Sequence, residues 1–247
     1  MNNVTMMQVK GLIIKETNVG EGDKIITILT KEHGKIQAGA NGARSYKSKL
    51  IAGCSLFCYT DFIIKSGKQL GRVISADPIE TFYNIRTDIE KLSLASYFCD
   101  LLCEIATDSH GMDEIIQLAL NTFYLITKKE DLSLIKPAFE LRLMGLSGLS
   151  PNVLTCGEGG GIEDLTHFSV NEGSVFCSKC GSSFGKIKSG TLSAMQHILH
   201  CGAKKIYSFS ATPEVTAELI CIAESYILTQ IGRDFRSLKY LKSVSKI

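Results

Sequence analysis

The residues of this chain most able to do chemistry are its cysteines. Cys177-Ser-Lys-Cys180-Gly181 sets two thiols two residues apart with a glycine after the second. Such a knuckle supplies half of a tetrahedral thiolate shell for Zn2+. The other half is expected in an earlier C-x-x-C about 15–20 residues away. The sequence there is Cys156-Gly-Glu-Gly159-Gly160, so Gly159 replaces the expected fourth cysteine and Gly160 matches the trailing glycine. Cys156, Cys177 and Cys180 therefore make three ligands of a zinc-ribbon site. Candidates for the fourth are Cys201, first on ligand type, and His200, His167 or Glu158. A water in that position, or a metal-free module held by packing, are the alternatives. No general base stands nearby in sequence to make the zinc catalytic, and no βαβ pattern surrounds Cys177 and Cys180 to make them a redox pair.

A second set of residues is suited to phosphates. Lys35, Arg44, Lys47 and Lys49 cluster around a glycine-containing loop. Lys and Arg neutralise phosphates whatever the base sequence, with an affinity that falls steeply with salt. Tyr46 sits among them, and an aromatic ring there can stack on an unpaired base. The same residues also suit a solvated basic loop with Tyr46 packed on its own scaffold. Near the C-terminus, Arg233, Arg236, Lys239 and Lys242 either extend a DNA surface or solvate a helix face. Only Arg236 and Lys239 are neighbours at i, i+3. The chain contains no H-E-x-x-H, Walker loop, G-x-S-x-G or dinucleotide fingerprint. His33, His110, His167, His197 and His200 fall in no catalytic spacing. The chain reads as a binding protein, not an enzyme.

These residues need a scaffold, and the composition bounds it. The chain has 247 residues, with 27 Lys+Arg against 25 Asp+Glu and 45% hydrophobic residues. A disordered or collagen-like protein is excluded. No apolar run approaches the roughly 18 residues of a membrane span, so no membrane partner is expected. Met1–Gln8 has neither the basic nor the apolar region of a signal peptide, and a cytoplasmic location is expected. Nearly balanced charge hides an asymmetry. Residues 1–80 carry 11 basic and 7 acidic side chains, residues 81–150 carry 6 and 10, and residues 151–247 carry 10 and 8. The nine cysteines are read as cytosolic thiols. Cys54, Cys58, Cys99, Cys103 and Cys221 lie in apolar runs and are expected in the core.

Residues 8–77 read as five short strands: Gln8–Thr17, Lys24–Thr30, Lys35–Ala40, Ser55–Lys65 and Arg72–Ala76, with a turn at Ser66–Gly71. That arithmetic suits a small closed barrel of OB-fold or SH3-like kind. From residue 87 the apolar period changes to helical. Thr87-Asp-Ile-Glu90 fits a capping box opening a helix over 88–106. Further helices are expected at Asp113–Lys128, Leu134–Gly145 with Pro137 starting or kinking it, and Thr191–His200. Thr212-Pro213 opens another that stops at Gly232, and Arg233–Lys242 makes a last short one. Residues 151–188 hold too few large aliphatics to fold by hydrophobicity alone and need a metal or tight docking. The expected organisation is α+β and multi-domain. A β-barrel spans 1–80, a helical domain 81–150, a zinc-ribbon-like insertion 151–188, and helices completing the helical domain 189–247.

The ordered motifs resemble the RecO family of bacterial DNA-repair and recombination mediators. They are Gly11-Leu-Ile-Ile, Gly20-Glu-Gly-Asp-Lys-Ile-Ile-Thr-Ile-Leu-Thr30, His33-Gly-Lys35, Gly42-Ala-Arg44 and Lys47-Ser-Lys49. Phe139-Glu-Leu-Arg142, Gly148-Leu-Ser-Pro151, Phe168-Ser169, Cys177-x-x-Cys180 and Gly232-Arg-x-Phe-x-Ser-Leu238 follow in the same order. The resemblance covers nearly the whole chain. It implies an N-terminal OB-fold, a helical body and a zinc-ribbon insertion. It also implies a nucleoid-associated protein that binds single- and double-stranded DNA, anneals complementary strands, and works with RecR to help load RecA onto strands coated by single-strand-binding protein. A groove on the helices for the tail of single-strand-binding protein is suggested for some members. The chain departs from the pattern at Gly159, and at Asn41 and Ser45, where more basic residues are common. A zinc-ribbon adaptor that binds only protein is the competing reading.

Overall fold

The structure is a computed structural model that describes residues 5–67, 70–107 and 112–245. His110, and Lys68 and Gln69 within the expected turn at 66–71, lie outside the described residues. The chain forms two compact units, one holding the segment up to Lys128 together with that from Phe235, the other Lys129–Asp234.

The first unit opens with β1 (Met6–Val19), β2 (Asp23–Thr30), β3 (Gly34–Ala40), β4 (Tyr59–Lys65) and β5 (Gly71–Glu80). They close into a barrel in the order β1-β2-β3-β5-β4, with β1 returning to β4. All pairs are antiparallel except a short parallel contact of β3 with β5 at Ala38–Gly71 and Gly39–Arg72. This is the OB-fold order, so topology decides what strand count left open. One long strand serves two neighbours because β1 shifts register between Ile13 and Lys15: Met6–Leu12 pairs with β4 and Gly11–Val19 with β2. A bulge bends a strand in this way and helps a sheet close on itself. Val9, Ile13, Ile26, Ile28, Phe62, Ile64 and Val73 fill the interior together with Cys54 and Cys58.

The fourth strand is shorter than its composition suggests. Ser55–Cys58 forms a turn, with Phe57 at φ +70°, because the Phe57 amide donates to the Ile13 carbonyl at 3.0 Å and the Ile13 amide to that of Cys58 at 2.9 Å. Phe57 spends its bulk elsewhere, packing edge-on to Phe123 with ring centres 5.6 Å apart. After a 3-10 turn, Tyr83–Thr87, helix α1 (Ile89–Ile105) is followed by α2 (Asp113–Lys128). The cap of α1 is Asp88, not the expected Thr87. The Asp88 carboxylate accepts from the amides of Glu90 and Lys91, while the Thr87 hydroxyl turns back to the Asn84 carbonyl.

The second unit begins with α3 (Ile135–Leu146), whose Pro137 sits in the first turn, where a missing amide costs little. Next come β6 (Leu165–Ser169), β7 (Ser174–Cys177) and β8 (Gly185–Lys186), in one antiparallel sheet of order β7-β6-β8. Helix α4 (Ser189–His200) and helix α5 (Pro213–Ile231) follow. Thr212 caps α5 through its side chain, Pro213 takes the first helical position, and Gly232 ends it. The small sheet is docked on these helices. Phe168 meets Tyr226 with ring centres 6.3 Å apart, and the Gln196 amide donates to the Val153 carbonyl at 2.8 Å. Between α3 and α5 lies a buried ion triad, with Lys136 Nζ 2.9 Å from Glu140 and 3.0 Å from Glu224.

The last helix, α6 (Arg236–Val244), belongs to the first unit. It buries Leu238 and Leu241, the Ser237 hydroxyl donates to Asp100 at 2.6 Å, and Phe235 packs on Tyr97 at 6.0 Å between ring centres. The expected 189–247 block is therefore divided, and the expected 81–150 domain is divided at Lys128. Cys221 differs too: it lies on the exposed side of α5 although its neighbours are isoleucines, while Cys54, Cys58 and Cys99 are buried and Cys103 half-buried. Among the described residues, no helix is long and apolar enough to cross a membrane.

Candidate functional site

Cys156 lies buried ahead of the small sheet, Cys177 ends β7, and Cys180 stands in the turn that follows. Their three sulfurs lie within 4.8 Å of one another, a metal-binding arrangement of thiols. The Cys177 amide donates to Cys156 Sγ at 3.5 Å. That bond, with amides of Gly159 and Glu158, holds the Cys156 thiol down at about 6. The Cys180 thiol is pushed up to about 12, held protonated by its hydrogen bonds to Cys177 and Cys156. Three sulfurs this close cannot all carry negative charge without a cation among them. The donor set therefore fits a soft divalent metal.

Both knuckles have their turn chemistry. Gly160 sits at φ +66° and donates to the Cys156 carbonyl at 2.9 Å, so the first knuckle turns as expected without its second cysteine. Gly181 is required by a close approach: a Cβ there would lie 2.6 Å from the His167 Cβ. At Gly159 a Cβ would meet nothing within 4 Å. A cavity of about 370 Å3 opens on that side, lined by Cys156, Gly159, Gly161, Ile162, Glu163 and Cys177.

None of the residues expected as fourth ligand joins the cluster. Cys201 follows the end of α4, its amide bonded to the His197 carbonyl at 2.9 Å, and burial raises its thiol. His200 and Glu158 are exposed, and the His167 ring is engaged with the Thr166 hydroxyl at 3.1 Å. Glu163, which falls in no ligand spacing, is the acidic residue on the cavity wall, and like the others it lies outside the thiol cluster. Only the folded course of the chain reveals it.

In the first unit, Arg44, Tyr46, Lys47 and Lys49 lie on the connection between β3 and β4, and all four are exposed. The Asp23 carboxylate anchors its start, accepting from the Gly42 amide at 2.7 Å and the Asn41 side chain at 3.2 Å. The Arg44 amide donates to Gly22 at 3.0 Å and its guanidinium to Gly20 at 3.1 Å, which draws the connection onto the β1–β2 turn. That turn is one of the loops through which OB-folds meet oligonucleotides. Tyr46 is 83% exposed, and Lys47 Nζ stands 5.3 Å from its ring centre. The ring is thus displayed, not packed on the barrel.

Lys35 leaves this group. It is half-buried, and its ammonium donates to the Cys103 carbonyl at 2.7 Å, in the last turn of α1. The negative end of a helix draws a cation in this way. Arg236 and Lys239 are exposed on α6 in the first unit, and Arg233 is exposed in the second.

Comparison with known proteins covers both units. The family described as Recombination protein O N terminal matches residues 1–82, and Recombination protein O C terminal matches residues 86–239. Among curated proteins, the DNA repair protein RecO of Acetivibrio thermocellus is 35% identical over 98% of this chain and 98% of its own length. That of Alkaliphilus metalliredigens is 33% identical over 97% of this chain and all of its own. That of Clostridium perfringens is 30% identical over 98% of this chain.

Proposed function

The chain belongs to the RecO family of DNA repair proteins, and from that premise we propose that it is a recombination mediator that binds DNA and performs no catalysis. It binds single- and double-stranded DNA, anneals complementary strands, and with RecR helps load RecA onto strands held by single-strand-binding protein. It would do so in the cytoplasm, on the nucleoid. The observation that carries the DNA reading is Tyr46, displayed beside Arg44, Lys47 and Lys49 on the barrel. Cations there hold phosphates without reading sequence, and an exposed ring accepts any base. Arg236 and Lys239 on α6, and Arg233, offer further phosphate contacts.

Annealing of complementary oligonucleotides, with a salt titration of binding, tests this reading. Faster strand pairing without nucleotide or metal supports it. Absence of binding to single strands at low salt overturns it and leaves the protein-binding adaptor.

Cys156, Cys177 and Cys180 would hold a structural Zn2+, which supplies tetrahedral thiolate coordination to a module poor in large aliphatics. Bound zinc near one equivalent per chain, after purification without chelator, is the expected result. Less than about a fifth of an equivalent overturns the assignment, given how tightly structural sites hold the metal.

A further inference from the structure

The three thiols suited to a metal are also close enough to bond to one another. We propose that Cys156, Cys177 and Cys180 form an oxidation site for hydroperoxides, in which any two sulfurs close into a disulfide and the third stays free to exchange with it. All three sulfurs lie within 4.8 Å of one another, and the Cys177 amide donates to Cys156 Sγ at 3.5 Å. The turn that returns Cys180 to Cys177 is closed by the Gly181 amide, which donates to the Cys177 carbonyl at 2.8 Å. A disulfide bond is about 2.05 Å long, so two of these sulfurs must move together to form one. Neither Cys156 nor Cys180 is held in a strand, which leaves both side chains and their turns room to make that shift.

A small oxidant has access to the cluster. The cavity of about 370 Å3 is lined by Cys156 and Cys177, and both Cys177 and Cys180 are only half-buried. Cys54 and Cys99, by contrast, are buried in the first unit, where burial pushes the Cys54 thiol up to about 12 and raises that of Cys99 as well. A thiol kept covered and protonated is a poor nucleophile. In the first step one cluster sulfur attacks a peroxide oxygen. The S–O bond forms as the O–O bond breaks, and the released hydroxide takes up the thiol's proton and leaves as water. A second thiol then attacks the sulfenic sulfur, so that the S–S bond forms, the S–O bond breaks and a second water leaves. Two thiols and one hydrogen peroxide thus give one disulfide and two waters, with two electrons passing from sulfur to oxygen. Gly159 matters because it leaves the set odd. Four cysteines can close into two disulfides, whereas three leave one thiol beside the bond. That thiol can attack either sulfur and move the disulfide among the three pairs without further oxidant. Where these residues hold zinc, oxidation removes two of its three protein ligands.

The test uses the full chain, reduced and freed of metal, treated with a small excess of hydrogen peroxide and then alkylated. Two of its nine thiols should disappear, and dithiothreitol should restore both. Trypsin locates the bond, because Cys156 and Cys177 share the peptide 143–179 while cleavage after Lys179 separates Cys180 from it. A bond to Cys180 cross-links two peptides, a Cys156–Cys177 bond lies within one, and both forms should be found. Cys156→Ser, Cys177→Ser and Cys180→Ser, each with unchanged far-UV circular dichroism, should still form the one disulfide left to them. Any two of these changes together should abolish it and leave a sulfenic acid that dimedone traps. Survival of all nine thiols in the native chain, or a disulfide formed only outside these three residues, overturns the proposal whatever the variants do. Zinc-loaded chain should release its metal as the thiols disappear. A chain that forms the disulfide but never takes up zinc overturns the zinc reading and leaves the oxidation site standing.

Discussion

The Lys35 ammonium donates to the Cys103 carbonyl at 2.7 Å, joining the start of β3 to the last turn of α1. A residue with the sequence signature of a phosphate contact is thus a helix cap. Lys35→Met should lower stability by about 1 kcal/mol, the scale of a charge-assisted bond at a helix C-terminus. The salt slope of DNA binding should stay unchanged. Urea midpoints and a salt titration on one variant check both halves.

The connection carrying Lys47 and Lys49 should behave in the opposite way. Replacing both by Ala should leave the urea midpoint within about 0.5 kcal/mol, as exposed substitutions do. Affinity for single strands should fall, with the magnitude of the salt slope reduced by about 1.4 if each lysine neutralises one phosphate. An unchanged slope would remove these two lysines from the interface.

Tyr46→Ala separates stacking from charge. Its loss should cost about 1–3 kcal/mol on single strands, whose bases are free to stack. The salt slope should not move, because no charge is removed. An equal loss on duplex and single strand would count against stacking.

In the second unit, Lys136 is held by Glu140 and Glu224 at 2% exposure. Burial works against its charge, but the two carboxylates outweigh it and hold the ammonium above the ordinary lysine value. A raised folded value means that the stabilisation is complete at neutral pH and is lost only as pH rises through that value. Stability from this triad should therefore be flat around neutrality and fall in the alkaline range above about 10.4, the ordinary lysine value. Lys136→Met strands two carboxylates in the interior and should cost about 3–5 kcal/mol, read from the urea midpoint of the unit's unfolding.

At the start of α1, Asp88→Ala should cost about 1 kcal/mol and Thr87→Ala much less, since the carboxylate of Asp88 receives both amides. Equal urea midpoints for the two variants would return the cap to Thr87.

Much of the scaffold is legible in the chain itself because its signals are local. Segments rich in Val, Ile and Thr mark β1 and β2, and Thr212-Pro213 with Gly232 bounds α5 within the reach of a few bonds. The knuckles around Cys156 and Cys177 are equally local, since turn glycines act on the next two or three residues. Even so, Asp88 and Thr87 could each cap α1, and only the 3-10 turn before them, which engages Thr87, decides between them.

The rest depends on which surfaces meet. Cys221 has isoleucine neighbours but faces outward, because burial on a helix follows angle around the axis and not adjacency. Lys35 and Lys47 are alike as residue types, yet one lies under the end of a helix and the other on an unpacked loop. Residue types and spacing by themselves determined a five-stranded barrel, a helical body and a cluster of three thiols lacking a fourth. Tertiary structure alone decided that the last helix packs beside α1, that Cys201 stays away from the thiols, and that Glu163 shares a cavity wall with Cys156 and Cys177. A ligand shell and a helix interface join residues far apart in sequence, and no local spacing encodes which of them will meet.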